Sequence, residues 1–71
     1  MSEKQTQLRL ADRIRELRES KGWSKADFAR KINEDRQNVG RYEKPGDPKL
    51  CSLIKIAKAF NISISELFKG V

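Results

Sequence analysis

Histidine is absent from these 71 residues, and cysteine occurs once, as Cys51. A lone thiol closes no intrachain disulfide, and without an imidazole it completes no Cys/His zinc site. The same shortages exclude a Ser-His-Asp or Cys-His catalytic arrangement within one chain. No apolar run approaches the roughly 18 residues that a membrane span requires. The opening MSEKQTQ has no apolar signal core, so export by that route is not expected and the reducing cytoplasm is the expected compartment. Period-2 alternation is missing over any useful length, which leaves strands out. The chain holds one domain at most, and such a chain buries only about 60% of its unfolded surface. Lacking covalent and metal staples, it has to be held by packing. Cys51 is expected as a small, buried or half-buried filler.

Acidic residues are the minority sign. Sixteen Lys and Arg stand against ten Asp and Glu, for a net charge of +6. A basic surplus on a small domain suits a polyanion, nucleic acid ahead of an anionic membrane. Residues 32–49 hold equal numbers of each sign, so the surplus lies outside that segment. Arg9, Arg13 and Arg15 either add to a partner-facing field or belong to a solvated amphipathic face.

Helical signals fill the rest. Residues 1–8 are polar and unpatterned and are expected as a flexible tail, with one domain over 9–71. Leu10, Ile14 and Leu17 then recur on one helical face, up to a stop at Gly22. Trp23 follows as a core plug. Ser24 and Asp27 have capping-box spacing ahead of the stripe Phe28, Ala29 and Ile32. Asn33 suits the left-handed residue that closes this helix. Asp35 can cap a short third helix over 36–44, with Val39 and Tyr42 inward, before Pro45-Gly46-Asp47-Pro48 stops it. A fourth helix over 49–60 shows a wide stripe of Leu50, Leu53, Ile54, Ala57 and Phe60 and is expected as the most buried element. Asn61 ends it. Ser63 or Ser65 caps a last short helix carrying Leu67 and Phe68, which Gly70 ends. The expected architecture is all-α, with five short helices.

The segment 25–44 has the form of a helix-turn-helix. Ala29 offers a small contact where two helices cross, and Phe28, Ile32, Val39 and Tyr42 fill the interior. At about 100° per residue, turning Val39 to the core sends Gln37, Arg41 and Lys44 to the far side, with Arg36 and Gly40 beside them. Arg matches guanine O6/N7 and Gln matches adenine N6/N7 in the major groove. Gly40 would let the helix backbone lie close to a duplex.

The run RIRELRESKGWSKADFARKINEDRQNVGRYEK resembles the Cro/CI-type (xenobiotic-response-element) helix-turn-helix family. PGDPKLCSLIKIAKAFNISISELF is similar to that family's fourth and fifth helices, so the resemblance runs without a gap from about Leu10 to Phe68. It implies a lambda-repressor-like fold whose third helix reads bases through Arg36, Gln37 and Arg41. It also implies that Ser24 and Lys25 hold phosphate, as a helix N-terminus does, and that Asn38 and Lys44 grip the backbone on either side. An ion pair between Arg18 and Glu43 comes with the family pattern, in a structural role. Two positions depart from it. Asn33 replaces the usual turn glycine. Glu34 stands where an apolar plug is usual, and a buried Glu is costly, so it is expected to turn to solvent or to pair with Arg30 or Arg36.

The reading is a sequence-specific regulator of double-stranded DNA, a repressor, working as a homodimer because one small module binds poorly. Ile64, Phe68 and Val71 are the candidate dimer surface, unless Phe68 simply caps the core. No cofactor, metal, small-molecule ligand, membrane partner or enzymatic activity is expected. The alternative is a protein-interaction module such as an antitoxin built on the same fold.

Overall fold

A computed structural model describes residues 3–46 and 48–71. Met1 and Ser2 of the expected tail, and Asp47 of the expected stop, lie outside these residues. Five helices follow one another: α1 (Glu3–Ser20), α2 (Lys25–Lys31), α3 (Arg36–Tyr42), α4 (Leu50–Ala59) and α5 (Ile64–Leu67). Among the described residues there is no strand, and no helix is long and apolar enough to cross a membrane.

Three of the four connections start with one device. Gly22, Asn33 and Asn61 have φ of 72, 56 and 58°. After each, the next N–H reaches back five residues: Trp23 to the Arg18 carbonyl at 3.2 Å, Glu34 to Ala29 at 2.9 Å, and Ile62 to Ala57 at 3.0 Å. These are Schellman closures, which satisfy carbonyls at the helix end and reverse the chain within a few residues. The connection from α3 to α4 instead contains Pro45 and Pro48, which cannot donate to a continuing helix. Helix starts are less uniform. Ser24 Oγ and Ser63 Oγ accept from the Asp27 and Glu66 N–H groups, each at 3.1 Å. Asp35 occupies the N-cap of α3, but its carboxylate makes no capping bond; that end is exposed, where water can satisfy the free N–H groups.

Helix α1 starts earlier than the apolar pattern indicates. Residues 3–8, expected in the tail, are helical from Glu3 onward. They contain neither Gly nor Pro, and adding turns to an existing helix is far easier than nucleating one.

The core draws on every helix. Leu10, Ala11 and Ile14 come from α1, Phe28 and Ala29 from α2 with Ile32 just beyond it, and Val39 from α3. Leu53, Ile56 and Ala57 come from α4, with Phe60 at its end, and Leu67 from α5; all are buried. Trp23 is half-buried and stacks on Phe60, with centroids 5.3 Å apart and planes at 12°. Phe28 meets Phe60 at 5.0 Å. The plug after α1 is thus stitched to α2 and α4.

The stripe of α4 is rotated from the expected one. Leu50 and Ile54 are 65% and 38% exposed, whereas Ile56, not counted in that stripe, is fully buried. Leu53, Ile56, Ala57 and Phe60 form the true inner face, and Ile54 lies about 110° around from its centre. Cys51 shares the outer side and is exposed, not the expected filler. Replacing Ile56 with Ala should therefore cost about 2–5 kcal/mol of stability, as deletion of a well-packed aliphatic does. Ile54→Ala should cost under about 1 kcal/mol. Urea unfolding of the two variants checks the order, and equal losses would refute the rotated stripe.

Candidate nucleic-acid interface

Helices α2 and α3 pack directly against each other across the turn 32–35. The turn is tight because Asn33 takes the left-handed conformation, which asparagine tolerates better than most residues. Val39 then points into the core with no exposed surface. On the far side of α3, Gln37 and Arg41 are exposed, as is Lys44 just past its end, and Arg36 is exposed beside them. Three cations and a carboxamide share this outer side.

The inner side of α3 is tied at both flanks. On one flank Glu43, at the C-cap, is 9% exposed. Arg18 Nε donates to its Oε2 at 2.7 Å and Arg18 Nη2 to its Oε1 at 3.2 Å. The remaining Arg18 nitrogen donates to the Trp23 carbonyl at 2.8 Å. A two-pronged pair of this kind is both strong and directional. The hydrogen bond to Glu43 raises the Arg18 guanidinium above its ordinary pKa, against the opposing effect of burial.

On the other flank stands Glu34. It neither turns to solvent nor pairs with Arg30 or Arg36. Its side chain is 13% exposed, and its Oε1 accepts from Tyr42 Oη at 2.6 Å and Asn38 Nδ2 at 3.1 Å. Lys55 Nζ stands 4.0 Å from its Oε2. Arg30 pairs with Asp27 instead. The turn thus buries a carboxylate in place of an apolar plug and compensates it with polar groups from α3 and α4.

At the start of α2, Ser24 and Lys25 are exposed. The capping box is complete: the Ser24 N–H also donates to Asp27 Oδ2 at 3.1 Å. That bond, then the Ser24 hydroxyl and Arg30, hold the Asp27 carboxyl below its ordinary pKa. Asn38 is half-buried, with its amide on Glu34. Ile64, Phe68 and Val71 are half-buried and packed against the core. In α1, Arg13 reaches the Glu66 carbonyl at 3.0 Å and Arg15 pairs with Asp12 at 2.8 Å. Both side chains thus make intramolecular contacts.

A helix-turn-helix family model matches residues 14–67. The chain belongs to the Cro/CI-type helix-turn-helix family. Its structure is similar to that of the restriction-modification controller protein C.AhdI from Aeromonas hydrophila. The two are 34% identical, with 86% of this chain and 94% of that one covered at a TM-score of 0.80. It is also similar to a hypothetical transcription factor, NHTF, from Neisseria, at 31% identity, 94% and 76% coverage and a TM-score of 0.82. No curated protein sequence matches it.

In this helix-turn-helix protein, the supports of α3 are the part that pattern reading misses. Ser52 and Lys55 come from another helix, and the Tyr42 hydroxyl has no pairing visible in one dimension. The signal available was the polar residue at 34 itself, since a buried carboxylate implies partners nearby. Breaking the other flank has a definite expectation. Arg18→Met leaves the Glu43 carboxylate buried without its cation and should cost about 3–5 kcal/mol in urea unfolding. Arg18→Met combined with Glu43→Leu should cost clearly less, because no orphaned charge remains.

Proposed function

We propose that this chain is a sequence-specific binder of double-stranded DNA that regulates transcription, as a repressor, in the cytoplasm. Helix α3 enters the major groove. Arg36, Gln37 and Arg41 contact base edges, and Ser24, Lys25 and Lys44 contact phosphates. Asn38 reaches phosphate only with the part of its amide that Glu34 leaves free. The observation that carries the reading is the two-sidedness of α3: its inner face is bound to the body, and its outer face offers two arginines and a glutamine to solvent. Arg and Gln are the side chains that read purines bidentately. The likeness to a restriction-modification controller and to a hypothetical transcription factor supports a regulator over an enzyme.

Gly40 adds a second support. It lies inside α3, and a Cβ built there meets nothing within 4 Å. Internal packing therefore gives no reason for glycine, which costs about 0.5–1 kcal/mol in a helix interior. Close approach of a duplex to the backbone supplies one. Two copies bound to half-sites roughly 34 Å apart would give the affinity that one module lacks. The apolar groups offered for that contact are the remaining exposed parts of Ile64, Phe68 and Val71.

Binding to a duplex selected from a random pool should weaken with salt at a log–log slope of about −5, for some 6 phosphates neutralised per dimer. A flat response would end the reading. Arg36→Ala or Gln37→Ala should lose about 1–3 kcal/mol on the selected duplex and relax base preference. Lys25→Ala should weaken all duplexes alike. Gly40→Ala should melt at a higher temperature, by up to about 1 kcal/mol of added stability, yet bind the duplex less tightly. Unchanged binding would remove Gly40 from the interface.

A further inference from the structure

The Glu34 carboxylate sits where three elements meet. It belongs to the turn, and its two hydrogen-bond donors, Asn38 and Tyr42, both lie on α3, one helical turn apart. Tyr42 Oη is also 3.0 Å from Ser52 Oγ on α4. A phenol has one proton, and the short contact to an ionised acceptor takes it. The Ser52 hydroxyl therefore donates to Tyr42 Oη. Lys55, also on α4, supplies the nearby positive charge. Glu34 Oε2 is buried and accepts no hydrogen bond. The carboxylate is thus held by charge and by two directed donors, not by shape filling.

Such a group constrains angle. An apolar plug fixes how far α3 stands from the body, but lets it roll and tilt within van der Waals tolerance. Two hydrogen bonds at successive turns fix the tilt as well. The Tyr42–Ser52 bond transfers that constraint to α4. Base-edge contacts are the ones sensitive to tilt, because bidentate pairs need the side chain placed within about 0.5 Å. Phosphate contacts from α2 and the long-range field are not.

We propose that Glu34 is a positioning residue for base reading: by clamping Asn38 and Tyr42 against Ser52 and Lys55, it sets the pitch at which α3 presents Arg36, Gln37 and Arg41. The proposal rests on the DNA-reading function above. It assigns Glu34 to discrimination between sequences, not to affinity for DNA in general.

The test compares the native chain, Glu34→Leu and Glu34→Gln on two duplexes: one enriched by the native chain from a random pool, and one of the same length with its central bases scrambled. Glu34→Leu should lower the affinity ratio between the duplexes about ten-fold, the scale of one bidentate base contact, with scrambled-duplex binding little changed. Glu34→Gln should stay within about two-fold of native, because its carbonyl oxygen still accepts from Tyr42 and Asn38. A second readout uses the phenol. Tyr42 is the only tyrosine, and burial, followed by its bond to Glu34, holds its pKa above the ordinary 10.0. In Glu34→Gln, which removes the carboxylate's charge without adding apolar bulk beside the phenol, the absorbance titration of the phenolate should move to lower pH. An unchanged ratio in a folded Glu34→Leu, or an unmoved phenol titration in Glu34→Gln, overturns the proposal and leaves the DNA reading intact. Equal losses on both duplexes overturn it as well. Failure of the native chain to enrich any sequence overturns the function reading itself, and this inference with it.

Discussion

Glu43 closes a helix of seven residues with a carboxylate taken almost wholly out of water, and such a group is tolerable only with a cation on it. Arg18 supplies that cation from the last turn of α1. The pair decides more than its own energy. Because the same guanidinium holds the Trp23 carbonyl, it pins the chain where α1 turns into α2. Trp23 in turn stacks on Phe28 and Phe60. One polar pair and one aromatic stack therefore connect four helices, in a chain whose single cysteine can close no intrachain disulfide.

Within that frame α3 has little freedom left. Val39 anchors its middle, Glu43 its end, and Glu34 its leading flank. Helices this short are not stable by themselves, since nucleation is costly and few bonds repay it; α3 is helical because tertiary contacts hold it so. The residues without an internal task are then conspicuous. Arg36, Gln37, Arg41 and Lys44 remain outside.

Most helix ends were legible because they depend on local chemistry: serine caps at 24 and 63, and left-handed closures at 22, 33 and 61. The inner face of α4 was not. Apolar residues at 50, 53, 54, 56, 57 and 60 fit two overlapping stripes, and only the position of the neighbouring helices selects the phase. Hence periodicity alone favours Leu50 and Ile54 over Ile56, the reverse of their burial. The early start of α1 has no apolar marker, so periodicity was blind to it. Cys51 follows the phase of α4 and is exposed for the same reason. The partnership of Arg18 and Glu43 spans 25 residues and came with a family resemblance, not from spacing. Glu34 is conspicuous in the sequence as a carboxylate at an apolar position, but its partners lie on elements whose approach no one-dimensional pattern encodes.

The shortness of α3 has one more consequence. Seven residues at 1.5 Å each make a rod about 10 Å long, and base pairs stack every 3.4 Å or so. Such a rod covers roughly three steps of a duplex, a word that chance repeats about once in 64 positions. If α3 reads bases as proposed, a vocabulary that small would be ambiguous anywhere in a genome. On the proposed reading its message would become legible only with a second word read at a fixed distance, as two bound copies would read it, so the grammar of such a site would lie in the spacing as much as in the letters.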